Sequence, residues 1–395
     1  MAGSDKGAGE LTVEKGKIRF IGDKAPDDFN GETIDLSNCL VMPGFVNAHC
    51  HLTLSALKGK LSPTDSFTDW VLALLELENS LSDQESLEAC YSRVEEMLHS
   101  GVTTFADYLG RTDLLPRYAD FPLRQMVFLE AIGFQSDRAE EIGKRIETVL
   151  RNGSPAPGRI SLGVAPHAPY STSPALFQLL YKIANDYGVP VSSHVGELVE
   201  ENEFLQRGSG KLRRLLDQLK AYDISWRPPK KSSLEYLIDL NAIESLVAVH
   251  LNHIDVDANL LTNYRMSAVF CPRSTRWFRR GKYMNVKGLL GEGISIGLGT
   301  DSLASNENLN FLDELRAAES MASDLSRDEL LVMATRGGAQ ALKMDVGVAA
   351  AGWPADLIAF RIESLPERWS DIIFDPTLRK VDFSMIGGEI LINKP

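Results

Sequence analysis

Six of the seven histidines in this 395-residue chain fall at or just beyond segments that read as short strands. "NAHCH" carries His49 and His51, "VPVSSH" ends on His194, "SLVAVH" ends on His250, and Asp301 follows "ISIGLGT". A two-residue repeat on a strand sends His49 and His51 to one face. Imidazoles and a carboxylate gathered at strand ends suit zinc or another divalent transition metal. His49, His51, His194 and Asp301 are therefore the expected ligands of one ion, with water in the remaining position. Four protein ligands exceed the three that catalytic zinc usually takes. Alone, the His49/His51 pair is also the pattern of two packed core histidines; the distant His194 and Asp301 turn it toward a metal.

Such a site needs a group that moves protons. Glu197, three residues past His194, lies where a carboxylate takes a proton from activated water and passes it to a leaving group. The alternative is a surface acid in the run "GELVEENE". His250 is placed to orient the water or polarise the attacked carbon, or else is a packed imidazole bonded to backbone. His99 falls near the end of an expected helix and reads as solvated or as a cap partner. Cys50, between the two histidines, is expected to point into the strand–helix packing layer.

These residues require strands that deliver their ends to one place. About eight apolar strands are expected between positions 43 and 300, among them "GFVNAHC", "VTTFADY", "LRQMVFLEAIGF" and "MSAVFCPRS". Helices separate most of them. Ser82 to Glu85 has capping-box spacing and opens one helix that Gly101 ends. Ser173-Pro174 opens another, closed by Gly188. Residues 198–243 read as partly helical, and helices are expected over 256–264, 285–292 and 308–321. A second capping box at Ser326 opens a helix running to about Leu342. Repeated βα units close into a barrel or wind into an open sheet. Polar residues at the ends of many different strands favour the barrel. Residues 11–42, the run from Asp345 to Ile362 and "DFSMIGGEILI" read as further β pieces.

The formal charge of −13 disfavours a nucleic-acid backbone as partner. The four cysteines are widely spaced, with no CxxC pair, so a reducing compartment is expected. "MAGSDKGAGE" lacks the pattern of a signal peptide, and no run approaches the roughly eighteen apolar residues of a membrane span. A cytoplasmic protein is expected, with no membrane partner.

The ordered set "PGFVNAHCH", "HAPYSTSP", "HVGE", "AVHLNH" and "GTDSLASN" resembles the amidohydrolase superfamily, in its aminohydrolase branch of nucleoside and guanine deaminases and triazine hydrolases. The resemblance spans roughly residues 11 to 391. It implies an α/β fold: a distorted (β/α)8 barrel over 43–349, with a small β-sandwich built from 1–42 and 350–395. It implies one ion, zinc first and iron second, held by His49, His51, His194 and Asp301. Glu197 falls on the proton shuttle and His250 on the histidine that helps activate water. Asp301 doubles as acceptor of a proton from that water. No carbamylated lysine is expected. His167 matches a histidine set against the substrate, and His253 is a residue of the pocket wall. The implied chemistry is hydrolytic deamination of an amidine-like ring carbon.

Narrower segments, "SALKGK", "SFTDWVLAL", "MVFLEAIGF", "FLQRGSGKLRRLL" and "CPRSTRWF", resemble the aminodeoxyfutalosine deaminases of menaquinone biosynthesis. Deamination of adenosine, methylthioadenosine or S-adenosylhomocysteine is the alternative, and triazine dechlorination a further one. A non-catalytic metal-binding barrel is disfavoured by the complete ligand set with Glu197. The expected partner is a small purine-nucleoside-like molecule; a homodimer is allowed. Arg273, Arg276, Trp277 and Phe278 are read as one loop after the seventh strand, where Arg273 would pair with a substrate carboxylate. A salt-bridged lid is the alternative. Trp70 and Glu130 are further pocket residues, and Ser302 either meets substrate or only positions Asp301.

Overall fold

The computed structural model describes residues 9–254, 258–363 and 367–394. Residues 1–8 of the expected N-terminal β unit and 256–257 of an expected helix lie outside them. β1 (Glu10–Glu14) and β2 (Lys17–Gly22) form an antiparallel hairpin. The run expected as a strand from Glu32 becomes one only at β3 (Cys39–Pro43).

Eight parallel strands follow: β4 (Phe45–Cys50), β5 (Val102–Leu109), β6 (Arg124–Ala131), β7 (Ile160–Pro166), β8 (Ser192–Val195), β9 (Val247–His250), β10 (Ser267–Phe270) and β11 (Ile296–Leu298). They pair in the order β7-β6-β5-β4-β11-β10-β9-β8. A parallel bridge between Val164 and Val191, with Val164 N–H donating to Pro190 at 2.9 Å, closes the ring beside β8. The fold is therefore the expected (β/α)8 barrel. The helices expected after Ser82, Ser173 and Ser326 start where the sequence places them. Both side chains of the capping boxes at Ser82/Glu85 and Ser326/Glu329 engage, and Gly188 ends its helix in the left-handed region.

Two cores follow from strand alternation. Val46, Ala48, Ala106, Tyr108, Phe128, Val247, Val249 and Val269 fill the barrel interior. Phe45, Cys50, Phe105, Val127, Ala248 and Phe270 face the surrounding helices. The helix expected from Ser326 to Leu342 is not continuous: a π-helical stretch, Met333–Gly337, interrupts it. There a Cβ on Gly337 would meet the Ile296 carbonyl at 2.5 Å, so only glycine lets this segment approach β11. Ala339, Leu342 and Val346 then join the barrel's inner core.

Both chain ends supply a second, antiparallel sheet of β14 (Glu389–Asn393), β13 (Phe383–Ile386), β12 (Leu357–Arg361) and β3, in that order. Leu357, Ala359, Phe383 and Met385 pack with Ile18, Leu11 and Val13 of the hairpin. Ile358, Phe360 and Ile392 lie in the core shared with the barrel. Arg124, at the start of β6, forks onto Asp356 at 2.6 and 3.1 Å, a buried two-point tie between sheet and barrel. Among the described residues, no helix is long and apolar enough to cross a membrane.

Candidate metal centre and active site

Strict alternation along β4 would send His49 outward, because Val46 and Ala48 already face the interior. The pairing with β5 shifts register between Asn47 and Cys50, and this irregularity turns His49 inward. From there the period of two holds: His51 faces in, while Cys50 enters the outer core with its Sγ 3.7 Å from Asp107. Asn47 bonds both Thr300 Oγ1, at 2.8 Å, and Thr300 N, at 3.1 Å, fastening β4 to the approach of Asp301. A Cβ on Gly299 would meet His49 Cβ at 2.7 Å, so the glycine makes room for the ring. His250 (φ 77°) and Asp301 (φ 57°) both sit in the left-handed region that non-glycine residues avoid. Such strain at strand ends marks places where side-chain direction is set by the site.

The five side chains converge. His51 Nε2 lies 3.3 Å from His194 Nε2, and Asp301 Oδ1 lies 3.6 Å from His49 Nε2 and 3.8 Å from His51 Nε2. Donor atoms of His49, His51 and His194 fall within 4.8 Å of one another, as do those of His49, His250 and Asp301. Both ring nitrogens of His49 are buried with no hydrogen-bond partner, a costly state that a cation relieves at one of them. The His194 Nδ1 faces the His167 carbonyl at 3.0 Å; a carbonyl only accepts, so Nδ1 carries the proton and Nε2 is left to ligate. Burial holds the imidazoles of His49, His51 and His194 below their ordinary range and takes His250 down to about 3. These are the neutral rings a metal binds. Burial alone would raise Asp301, but the surrounding imidazoles of His49, His250 and His51 hold it well below the carboxylate range. Three neutral imidazoles and one carboxylate fit a divalent transition metal.

Glu197 is not a surface acid. It is 6% exposed, and burial raises its carboxyl while the Arg280 guanidinium, 3.4 Å away, pulls against that rise. Glu201 of the same acidic run is fully buried; it accepts from Gly196 N–H at 3.0 Å and from Ser233 Oγ, holding the turn between His194 and Glu197. Glu200 and Glu203 pair or point outward, so the run divides between site and surface.

The profile of the amidohydrolase family matches residues 40–391, nearly the whole chain. The chain belongs to the amidohydrolase family. A 5-methylthioadenosine/S-adenosylhomocysteine deaminase of Pelotomaculum thermopropionicum is 28% identical over 405 aligned positions, covering 98% of this chain and 89% of the relative. Among solved structures, the atrazine chlorohydrolase of Arthrobacter aurescens TC1, in complex with zinc, superposes with a TM-score of 0.82 at 19% identity, covering 97% and 90% of the two chains. The Helicobacter pylori aminofutalosine deaminase superposes with a TM-score of 0.81 at 23% identity, covering 96% and 94%. Both likenesses describe this amidohydrolase fold.

The remaining expected site residues divide. Glu130, at the end of β6, has its Oε2 4.0 Å from His51 Nδ1, and its Oε1 is buried without a partner. The His167 ring lies 4.7 Å from that of His194, with Nδ1 on Ser171 Oγ at 2.6 Å. Trp70 stands on a helix the sequence reading missed, Phe67–Asn79, and donates to the Ala304 carbonyl at 3.0 Å. Ser302 donates its N–H to Asp301 Oδ1 at 2.8 Å, and its hydroxyl serves the same turn. The backbone N–H of His253 bonds Gly196 at 2.8 Å.

The segment of Arg273 differs from the expected loop. It is a helix, Pro272–Trp277, and the Arg273 guanidinium is held by Asn308 at 2.8 and 3.1 Å and faces Glu314 and Glu307. These contacts are those of the salt-bridged alternative. Residues the sequence reading passed over complete the centre. Asp107, at the end of β5, accepts from Leu52 N–H and Tyr118 Oη, both at 2.6 Å, and so grips the backbone next to His51. Tyr108 packs its ring 4.2 Å from His49, and Ser274 Oγ donates to Asp301 Oδ2. A polar residue at a strand end was the available signal for Asp107.

Proposed function

We propose that this amidohydrolase is a metal-dependent deaminase of a 6-aminopurine nucleoside modified at its 5′ position, of the methylthioadenosine and S-adenosylhomocysteine type. The carrying observation is the convergence of His49, His51, His194, Asp301 and His250 beside a buried Glu197. The ion is one divalent transition metal, zinc first, held by His49, His51, His194 and Asp301. When bound, such an ion makes water a nucleophile near neutral pH and polarises the attacked centre. Glu197 delivers a proton to the ring nitrogen beside the amino-bearing carbon. Asp301 accepts a proton from the attacking water, and the neutral His250 orients that water. Water adds across the C=N bond; the amino group takes the proton held by Asp301 and leaves as ammonia, the new hydroxyl returns a proton to Glu197, and a ring carbonyl remains. His167 and Glu130 border this centre on the side of His194 and His51, where they contact the bound nucleoside.

The choice of substrate rests on the deaminase relative, whose likeness covers nearly all of this chain. The menaquinone-pathway substrate is the second reading, favoured by the segments from "SALKGK" to "CPRSTRWF". The Helicobacter pylori neighbour shares the fold and adds no weight to it. The zinc-loaded protein tests both readings against methylthioadenosine, S-adenosylhomocysteine, 5′-deoxyadenosine, adenosine, 6-amino-6-deoxyfutalosine and a chlorinated triazine, with ammonia and chloride release as readouts. Ammonia from the first three at the highest kcat/KM supports the proposal. Preference for the futalosine compound supports the second reading, and chloride without ammonia contradicts both.

A further inference from the structure

The short helix after β10 touches both carboxylates that handle protons in the proposed reaction. Near its start, Ser274 Oγ donates to Asp301 Oδ2, while Arg273 N–H is anchored on Glu314 at 2.9 Å. Past its end, Arg279 takes a left-handed backbone (φ 50°), and Arg280 N–H folds back onto the Thr275 carbonyl at 3.1 Å. This reversal sends the Arg280 side chain inward. Its Nη2 lies 3.4 Å from Glu197 Oε1, and the two side chains are only 7% and 9% exposed. The guanidinium also lies over two buried rings, 4.6 Å from the centroid of Phe278 and 5.6 Å from that of Phe67. Three elements thus fix its position: the helix exit, the Phe67–Asn79 helix and the segment after β8.

We propose that Arg280 is a positioning residue for Glu197, holding one carboxylate oxygen so that the other is presented to the substrate ring nitrogen; this rests on the role given to Glu197 above. A guanidinium suits the task. It has donors only and does not give up its proton at working pH, so it orients the carboxylate without competing for the transferred proton. The aromatic rings clamp the flat guanidinium, which an ammonium on a flexible stem would not reproduce. Because Ser274 and Arg280 belong to one segment, Asp301 and Glu197 keep a fixed mutual geometry. A misplacement near 1 Å costs about 10²-fold in rate.

The test uses the zinc-loaded protein and whichever nucleoside the wild type deaminates. Arg280→Met is expected to lower kcat by about 10²-fold with KM and zinc content little changed, and Arg280→Lys to recover part of the loss. Added ethylguanidinium is expected to raise the rate of Arg280→Ala but not that of Arg280→Ala with Glu197→Gln. Arg276→Met, exposed on the same helix, serves as the matched control and keeps wild-type rates. An unchanged kcat in Arg280→Met overturns the proposal alone. So does an equal fold-loss when Arg280→Met is added to Glu197→Gln, which would show a general structural role. A wild type that releases no ammonia from any nucleoside overturns the functional reading and this proposal with it.

Discussion

His49, His51, His194 and Asp301 stand on strand ends whose backbone is bonded to neighbouring strands, whereas Trp70, Arg273 and Arg280 stand on or just past helices that follow strands. The first group was legible because polar residues closing apolar strand runs mark strand ends, and residues two apart, His49 and His51, share a face. The second was not, because each of its partners lies far away in sequence and is chosen by packing. Arg280 meets Glu197 across 83 residues, and Arg273 meets Glu314 across 41.

Breaking the strand-end group should abolish turnover for every substrate alike. His194→Ala is expected to lose zinc and to reduce ammonia release to background, seen by metal analysis beside a rate assay. Next, Glu197→Gln should retain zinc yet lose about 10²- to 10⁴-fold in kcat, the usual contribution of a positioned acid–base group. Retained turnover would remove Glu197 from the mechanism. Asp107→Asn loses one acceptor behind His51 and is expected to weaken zinc binding by about 10- to 100-fold, read by competition with a coloured chelator.

Changes in the helical group should instead alter stability or substrate ranking. Arg273→Met removes the guanidinium beside the buried Glu314, leaving it the residue-273 N–H and Asn306 as donors, and should cost about 3 kcal/mol in urea unfolding. KM for nucleosides with and without a carboxylate should stay in the same ratio. A selective loss for the carboxylate-bearing one would restore Arg273 to substrate binding. The smallest effect concerns pH. Burial raises Glu314 from 4.5 to about 7 against the pull of Arg273. The folded state therefore binds the extra proton, so this contribution to stability is full below pH 4.5 and is lost as pH rises through about 7. Glu314→Gln should flatten that decline in urea midpoints.

The barrel itself was legible because apolar runs, capping boxes at Ser82 and Ser326, and strand-end polar residues agree with one another. Three features were hidden. The irregularity that turns His49 inward leaves no mark in "FVNAHC", since it depends on pairing with β5. The left-handed turn at His250 is equally silent, because histidine gives no glycine-like signal. The π-helical stretch at Met333–Gly337 carries a helical pattern, and only the approach of Gly337 to β11 requires the break. For Arg273 the sequence left a substrate carboxylate or a salt-bridged lid open, because its protein partners Asn308 and Glu314 stand 35 and 41 residues away.

The most direct measurement is a zinc titration of protein stripped by a chelator, followed by ammonia release from methylthioadenosine. No turnover is expected without metal, followed by a linear rise that saturates at one zinc per chain. Full turnover in the stripped protein, or saturation only at two ions per chain, would contradict a single ion held by His49, His51, His194 and Asp301.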